Sequence, residues 1–297
     1  MNREEINYNY IIPKPNFTAI FSLIIIIALG IISCKNSELQ KPKYSFFVAG
    51  HTYGNPIKYQ YGLYPPFVNS IAYINSYQKM SLGVFLGDVV PKPTESYWDS
   101  ALSDINKFSI PIHIAAGNHD KGFEFEKKIN DYYYHFLYEN DLFIILSPTN
   151  WNIEGEQKKF LLKTIKENYL KAHNIFIFCH ELIWWSPENK FRNIKINYSP
   201  HYPGNTNYLT EIKPALDSLP NQVVIFAGDL GCIESVSPYM YYKKDNITLI
   251  GTGMGGGKKD NIVIVEVSNN NTLNYKLIGL NNTTFYEIEK IKDYILP

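Results

Sequence analysis

Cysteine is scarce in this chain of 297 residues: there are three, Cys34, Cys179 and Cys232, and only the last two lie in its body, so a disulfide-built scaffold is excluded. Two buried free thiols are the expected state of Cys179 and Cys232, with a single disulfide as the alternative. Net charge is also missing. Lys plus Arg and Asp plus Glu both number 28, which removes any global pull toward nucleic acid or an anionic surface and leaves partner choice to a local site. No G-x-S-x-G turn is present, which argues against a serine hydrolase. No internal repeat or low-complexity block interrupts residues 44–285, and that stretch reads as one domain. What the chain does have is apolar bulk: 45% hydrophobic and 15% aromatic residues, enough for a full-sized core. The 24 tyrosines read as compositional bias rather than as a carbohydrate-binding surface.

The stretch Phe17 to Ser33 carries no charge and is dominated by Ile, Leu and Ala, after a segment holding Arg3, Glu4, Glu5 and Lys14. It is at the lower limit for a spanning helix and fits an export signal better. It ends in Ile31-Ile32-Ser33-Cys34, which resembles a bacterial lipobox. That resemblance implies a signal segment over 1–34, lipidation of Cys34, and an exported body held at the membrane. An uncleaved N-terminal anchor is the alternative. Residues 35–43 are polar and suit a tether, and 286–297 form a C-terminal tail.

Short apolar, β-rich runs recur at 45–49, 82–86, 110–115, 142–146, 175–178, 223–226, 247–250 and 262–267. Helix-like stretches separate the early ones, at 66–79, 97–108, 124–136, 156–171 and 209–219. This alternation predicts an α/β fold with mostly parallel inner strands. The late runs, with 274–280, follow without helices and predict antiparallel pairing at an edge or in a second sheet. Trp184 to Tyr208, broken by Pro187, Pro200, Pro203 and Gly204, reads as one long loop.

Several strands end in small residues followed by polar ones: Gly87-Asp88, Gly117-Asn118-His119-Asp120, Cys179-His180-Glu181 and Gly228-Asp229. Carboxyl ends of parallel strands converge on one edge, where ligands bind, so these donors form a candidate cation site. A carboxylate, an amide oxygen, an imidazole and a second carboxylate suit Mn, Fe or Zn better than a thiolate-loving ion. The run Asn118-His119-Asp120 has no packing rationale, because three polar groups in a row after an apolar strand each need a partner.

In this order the motifs resemble the calcineurin-like metallophosphoesterase superfamily over roughly residues 44–280. The resemblance implies a two-sheet β-sandwich flanked by helices, in four layers α/β/β/α. It also implies a dinuclear metal centre that activates water against a phosphate monoester or diester. By position, Asp88 stands where that superfamily has its bridging ligand, Asn118 and His180 where it has further metal ligands, and His119 where it has the acid for the leaving group, with Asp120 as orienting partner. Two motifs depart. D-x-H is replaced by His51-Thr52-Tyr53 and G-H-x-H by Gly228-Asp229-Leu230-Gly231. One metal position keeps Asp88, Asn118 and His180 and exchanges its last histidine for Asp229. The other keeps only the shared Asp88, with His51 as a ligand or a phosphate contact, and Tyr53 as a substrate contact or, with a ferric ion, a phenolate. One or two ions are therefore expected, one of them firmly held.

Trp184 and Trp185 follow His180 and either line a substrate groove or pack in the core; Trp184 is taken as a substrate contact, as is His201 in the long loop. The glycine-rich Thr252 to Gly257 reads as a tight turn near the site rather than a phosphate cradle. His113, inside a strand, reads as structural. The expected function is hydrolysis of a phosphate ester outside the cytoplasmic membrane. A surface-binding lipoprotein that keeps the fold without the chemistry is the alternative, and no nucleic-acid partner is implied.

Overall fold

The computed structural model describes residues 41–197 and 204–280, and the backbone of 285–287. In chain order the first elements are β1 (Tyr44–Ala49), α1 (Pro65–Ser76), β2 (Met80–Phe85), α2 (Glu95–Ile105), β3 (Ile112–Ile114), α3 (Phe123–Lys128), β4 (Tyr134–Tyr138) and β5 (Asp141–Ile145). There follow α4 (Gly155–Asn168), β6 (Asn174–Cys179), a π-helical turn at Tyr208–Ile212 that runs into α5 (Lys213–Asp217), and β7 (Gln222–Ala227). The chain continues with β8 (Tyr239–Lys244), β9 (Ile247–Thr252), β10 (Asn261–Val267), β11 (Leu273–Gly279) and β12 (Phe285–Glu287). They build two six-stranded sheets, ordered β12-β11-β10-β1-β2-β3 and β4-β5-β6-β7-β9-β8.

Period-two alternation along the strands separates the layers, because successive side chains leave opposite faces. In β1, Tyr44, Phe46 and Val48 enter a central core between the sheets, while Phe47 and Ala49 enter a second core under α1 and α2. In β6, Phe176 and Phe178 face the centre and Ile175, Ile177 and Cys179 face a third core, which α4 and α5 cover. Three cores stacked this way make the expected four layers. The central one is aromatic: Phe46 meets Phe143, Phe176, Phe178 and Phe226 edge to face, at centroid distances of 4.9 to 6.1 Å.

The inner strands are parallel as expected: β1 with β2, β2 with β3, and β5, β6 and β7 in register with one another. The late strands divide between the sheets. β10 and β11 pair antiparallel beside β1, whereas β9 lies parallel to β7. The helix expected over 124–136 stops at Lys128, and Tyr134–Tyr138 is instead an edge strand. Glu139 and Asn140, both at positive φ (53° and 64°), form the two-residue hairpin turn that sends the chain back along β5. Period two wins there, with His135 and Leu137 exposed and Tyr134, Phe136 and Tyr138 packed against the central core. Strand β8, absent from the sequence reading, is tied to β9 by a second tight turn with Asp245 at φ 53°.

At the tether boundary, the Lys43 N–H donates to the Val267 carbonyl at 2.7 Å and its ammonium pairs with Glu139 at 3.1 Å. The expected signal segment with Cys34, the expected tether up to Gln40, His201 and the expected tail beyond Glu287 lie outside the described residues. Among the described residues no helix is long and apolar enough to cross a membrane.

Candidate metal centre

The strand ends converge because their backbones touch. A Cβ on Gly228 would lie 2.1 Å from the Leu86 carbonyl oxygen, and one on Gly50 would lie 2.5 Å from the Gly228 Cα. Only glycine lets the ends of β1, β2 and β7 approach so closely. Backbone hydrogen bonds stitch the loops together: His51 N–H to Gly87 O at 3.2 Å, Tyr53 N–H to Asp88 O at 3.1 Å, and Gly228 and Asp229 N–H to His180 O at 2.9 and 3.0 Å. His51 and Asp88 both sit at positive φ, 55° and 52°, in the left-handed region that non-glycine residues adopt at a cost.

Asp88 is the centre of the resulting cluster. Its Oδ1 accepts the His119 N–H at 3.2 Å, and its Oδ2 lies 3.4 Å from His180 Nε2 and 3.5 Å from His51 Nε2. His180 is fully buried, and its Nδ1 sits 2.8 Å from the Leu86 carbonyl, so Nδ1 carries the proton and donates. Its Nε2 is thereby aimed at Asp88 and, at 3.8 Å, at Asp229 Oδ1. Burial alone would lower the His180 pKa, but Asp88 and Asp229 hold it well above the ordinary value. Burial would likewise raise Asp88, and His180 and His51 pull it below the carboxylate range. Asp229 is pushed up to about 6 by burial and then by Asp88, against the pull of His180. His51 is pushed down to about 4 by burial, which outweighs Asp88. The site thus concentrates negative charge around one imidazole nitrogen, a place that a proton or a metal cation would fill.

Among the described residues no group of three or more His, Cys, Asp or Glu side chains is arranged so that it could hold a metal ion as it stands. An open half-site is present. Its donor separations of 3.4 and 3.8 Å are close to the ~3.4 Å edge of a tetrahedron with metal–ligand bonds of about 2.1 Å. The Nδ1–carbonyl bond that fixes the His180 tautomer is the outer support such ligands ordinarily have. Asn118 borders the same cleft and is exposed. These residues fit one cation. Opposite them, His51 stands alone beside Asp88. Gly231, at φ 72°, packs where a Cβ would lie 2.8 Å from the Gly253 carbonyl carbon, so no side chain replaces the missing histidine. Tyr53 lies 4.4 Å, ring to ring, from His51 and 5.4 Å from His119, and burial and Asp88 raise its phenol pKa.

The structure redistributes the remaining assignments. Asp120 does not orient His119: its Oδ1 accepts Val89 N–H at 2.8 Å and Val90 N–H at 3.1 Å, and its Oδ2 accepts Gly117 N–H at 2.8 Å. With both oxygens taken, the carboxylate clamps the loop after β2 to the loop after β3. The His119 ring is held instead by the Pro91 carbonyl, 2.9 Å from Nδ1. Trp184 is not at the site either; it is fully buried in the core beneath α4, with its indole N–H on the Met240 sulfur. The amides of Gly255, Gly256 and Gly257 are filled from within, all donating to Asp260 Oδ1 at 2.9 to 3.0 Å. His113 is structural, stacked on Phe136 and 3.0 Å from the Tyr134 hydroxyl. Cys179 and Cys232 are free thiols.

The cleft has a volume of about 550 Å³ and is lined by His51, Tyr53, Asp88, Asn118, His119 and Asp229, together with Pro56, Asn150, Trp151, Glu181, Asn197 and Cys232. Trp151 therefore takes the place that the sequence reading gave Trp184. Trp151 sits in a turn that only the structure reveals, with Asn150 and Trp151 both at positive φ (51° and 60°). Glu181 and Cys232 adjoin motif residues but match none of them.

No family model and no curated protein matches the chain. Solved structures do. A dimetal phosphatase from Danio rerio aligns over 83% of this chain and 99% of its own, at TM-score 0.56 and 12% identity. A purple acid phosphatase from yellow lupin (Lupinus luteus) seeds aligns over 82% of this chain at TM-score 0.58 and 12% identity, and the match spans about half (52%) of that enzyme. With its two sheets, its four layers and these neighbours, the chain has the calcineurin-like metallophosphoesterase fold.

Proposed function

We propose that this protein hydrolyses a phosphate monoester or diester with the help of one firmly held metal ion. The observation that carries this reading is the His180 imidazole, whose Nδ1 is committed to Leu86 O and whose Nε2 faces Asp88 and Asp229 in a fully buried position. Asp88, His180, Asp229 and Asn118 would hold the ion. When bound, a Mn, Fe or Zn ion supplies a Lewis acid and a nucleophilic water at neutral pH.

The chain's own groups do the rest. The cleft lining contains Asp88, Asp229 and Glu181 and, among the described residues, no Lys or Arg, so its carboxylates oppose a phosphate group. At ~5 Å and an effective dielectric near 20, each carboxylate opposes each phosphate charge by about 3 kcal/mol. Phosphate binding is therefore helped by a cation there, a proton on His180 or a metal ion. His119 donates from Nδ1 to Pro91 O, and as imidazolium it carries a second proton on Nε2 that it would give to the departing alkoxide oxygen. Asp120 fixes the loop that carries His119 and Asn118. Tyr53 and His51 border the opposite wall and contact phosphate oxygens.

The test is metal analysis of the purified protein combined with a screen of generic phosphomonoesters and phosphodiesters in Mn²⁺, Fe²⁺ and Zn²⁺. About one ion per chain and turnover that His180→Ala and Asp88→Ala abolish support the reading. No bound ion and no turnover above those variants refute it. A second reading, a non-catalytic binding protein of the same fold, is favoured by one observation only: on the His51 side Asp88 has a single donor for company. Metal uptake without turnover of any ester would select it. The lipobox-like residues Ile31 to Cys34 support export and membrane anchoring through a lipidated Cys34. Release of Cys34→Ala from the membrane fraction tests this, and unchanged fractionation points to an uncleaved anchor.

A further inference from the structure

Glu181 is the one cleft carboxylate that the phosphoesterase reading leaves without a task. It is 6% exposed, and its Oε2 has no hydrogen-bond partner among the described residues. Its backbone is pinned, the carbonyl accepting the Ile183 N–H at 2.9 Å and the Cys179 thiol at 3.3 Å. Of the cations whose charge it feels, His180 comes first but turns its Nε2 to Asp88 and Asp229, and Lys121 spends its ammonium on the Pro148 carbonyl at 2.9 Å. A buried acceptor held in place without a donor destabilises the free protein, and such groups in folded proteins call for an explanation. The carboxylate also accepts from its own backbone N–H, which leaves Oε2 as the oxygen to offer to the cleft that Glu181 lines.

The neighbourhood narrows what arrives. The cleft that Glu181 lines is also lined by Asn150 and Trp151, at the tip of a tight turn closed by Thr149 and Asn152, which exchange backbone hydrogen bonds of 3.1 and 3.0 Å. Asn150 and Trp151 bring no charge to the cleft, which suits the organic part of a substrate better than its phosphate. We propose, building on the phosphoesterase reading, that Glu181 accepts a hydrogen bond from an O–H or N–H donor on the alcohol portion of the ester. The preferred substrates are then phosphate esters of diols or amino alcohols, not of plain alkanols. A site built around a buried polar group rejects an analogue that leaves that group unpaired far more strongly than an apolar pocket rejects a missing methylene.

Three esters of equal heavy-atom count test this: 2-hydroxyethyl, 2-aminoethyl and propyl phosphate, given to the metal-loaded protein and to Glu181→Leu. The wild type is expected to favour both donor-bearing esters over propyl phosphate by about tenfold or more in kcat/KM. The Leu variant should bring the ratio to near one, with metal content unchanged and a thermal midpoint no lower than wild type. Preference for the aminoethyl over the hydroxyethyl ester would identify an amino alcohol as the source of the donor, the reverse preference a diol, and equal preference a site that accepts either donor. A wild-type ratio near one overturns the proposal. So does loss of metal or failure to fold in Glu181→Leu, which would make the carboxylate a ligand or a structural group. If no ester is hydrolysed, the phosphoesterase reading falls, and the thermal shift produced by each ester decides the role of Glu181 separately. Donor-bearing esters must then stabilise the wild type more than propyl phosphate does, and equal shifts refute the assignment.

Discussion

The approach of the two sheets at Gly228 gives a test that separates steric packing from backbone conformation. A methyl group at this position would stand 2.1 Å from Leu86 O, 2.6 Å from Leu86 Cβ and 3.0 Å from Gly50 Cα. An ordinary carbon–oxygen contact is longer than the first of these by about 1 Å, and the obstructing atoms are backbone or close to it, so no side-chain rotation relieves the clash. Gly228→Ala must therefore part the end of β7 from the end of β2, at a cost of about 3 kcal/mol or more. For a domain of this size that lowers the thermal midpoint by about 6–12 °C. The same movement carries Asp229 away from Asp88, so metal content falls with stability. Gly155→Ala is the matched control. That glycine sits at φ 54° with nothing within 4 Å of an added Cβ, so the substitution meets conformational strain alone, about 1 kcal/mol. Its midpoint should fall by about 2–4 °C with metal uptake intact. The two variants are compared by thermal unfolding and by metal analysis after dialysis. A Gly228→Ala midpoint within error of wild type, with full metal content, would show that the strand ends do not meet as described and would remove the basis for the cluster.

Other outcomes follow from the same geometry. Asp120→Ala orphans three buried backbone N–H groups and should cost about 3 kcal/mol in urea unfolding, more than the relief of a carboxylate that burial and Asp88 push up to about 6. Wild-type stability with an altered pH profile of turnover would restore it as the partner of His119. Removing the metal by chelation should lower the midpoint of wild type, and adding Mn²⁺ or Zn²⁺ back should restore it, while His180→Ala responds to neither; equal responses would place the ion elsewhere. Far from the site, Glu266 is paired with Lys276 at 2.8 Å and accepts from the Tyr77 hydroxyl and the Asn274 amide. Burial would raise its pKa, but these partners lower it, so its contribution is full above the ordinary glutamate pKa of about 4.3 and is lost as pH falls through the lower folded value. The stability gap between wild type and Glu266→Gln, measured by urea unfolding, should close below that pH; a gap constant with pH refutes the pairing.

What the sequence made legible was whatever repeats a local signal. Parallel inner strands follow from short apolar runs spaced by helix-length segments, and the positions of Asp88, Asn118, His119, His180 and Asp229 follow from glycine-bearing or polar strand ends. What it concealed depends on partners distant in the chain. Tyr134 to Phe136 reads as the end of a helix until Glu139 and Asn140 are seen to turn with positive φ and β5 supplies a pairing edge. Asp120 reads as the partner of its neighbour His119 until the amides of Val89 and Val90 reach it from the previous loop. Trp184 and Trp151 exchange roles because the long loop after β6 packs inward: Trp185, Phe191, Ile194 and Ile196 all join the core beneath α4. An apolar loop of that kind has no period to announce which face is buried. His51 belongs to both groups. Its position at the end of β1 is plain from "GHTYG", yet only the structure places its Nε2 3.5 Å from Asp88 and its ring 4.4 Å from that of Tyr53. A burial-lowered imidazole next to a protonated phenol offers neither the carboxylate charge nor the second histidine of a dinuclear arrangement. The asymmetry of the centre therefore lies in its donors, and returning an acid at position 51 and an imidazole at position 53 would still leave Gly231 with no room for the last ligand.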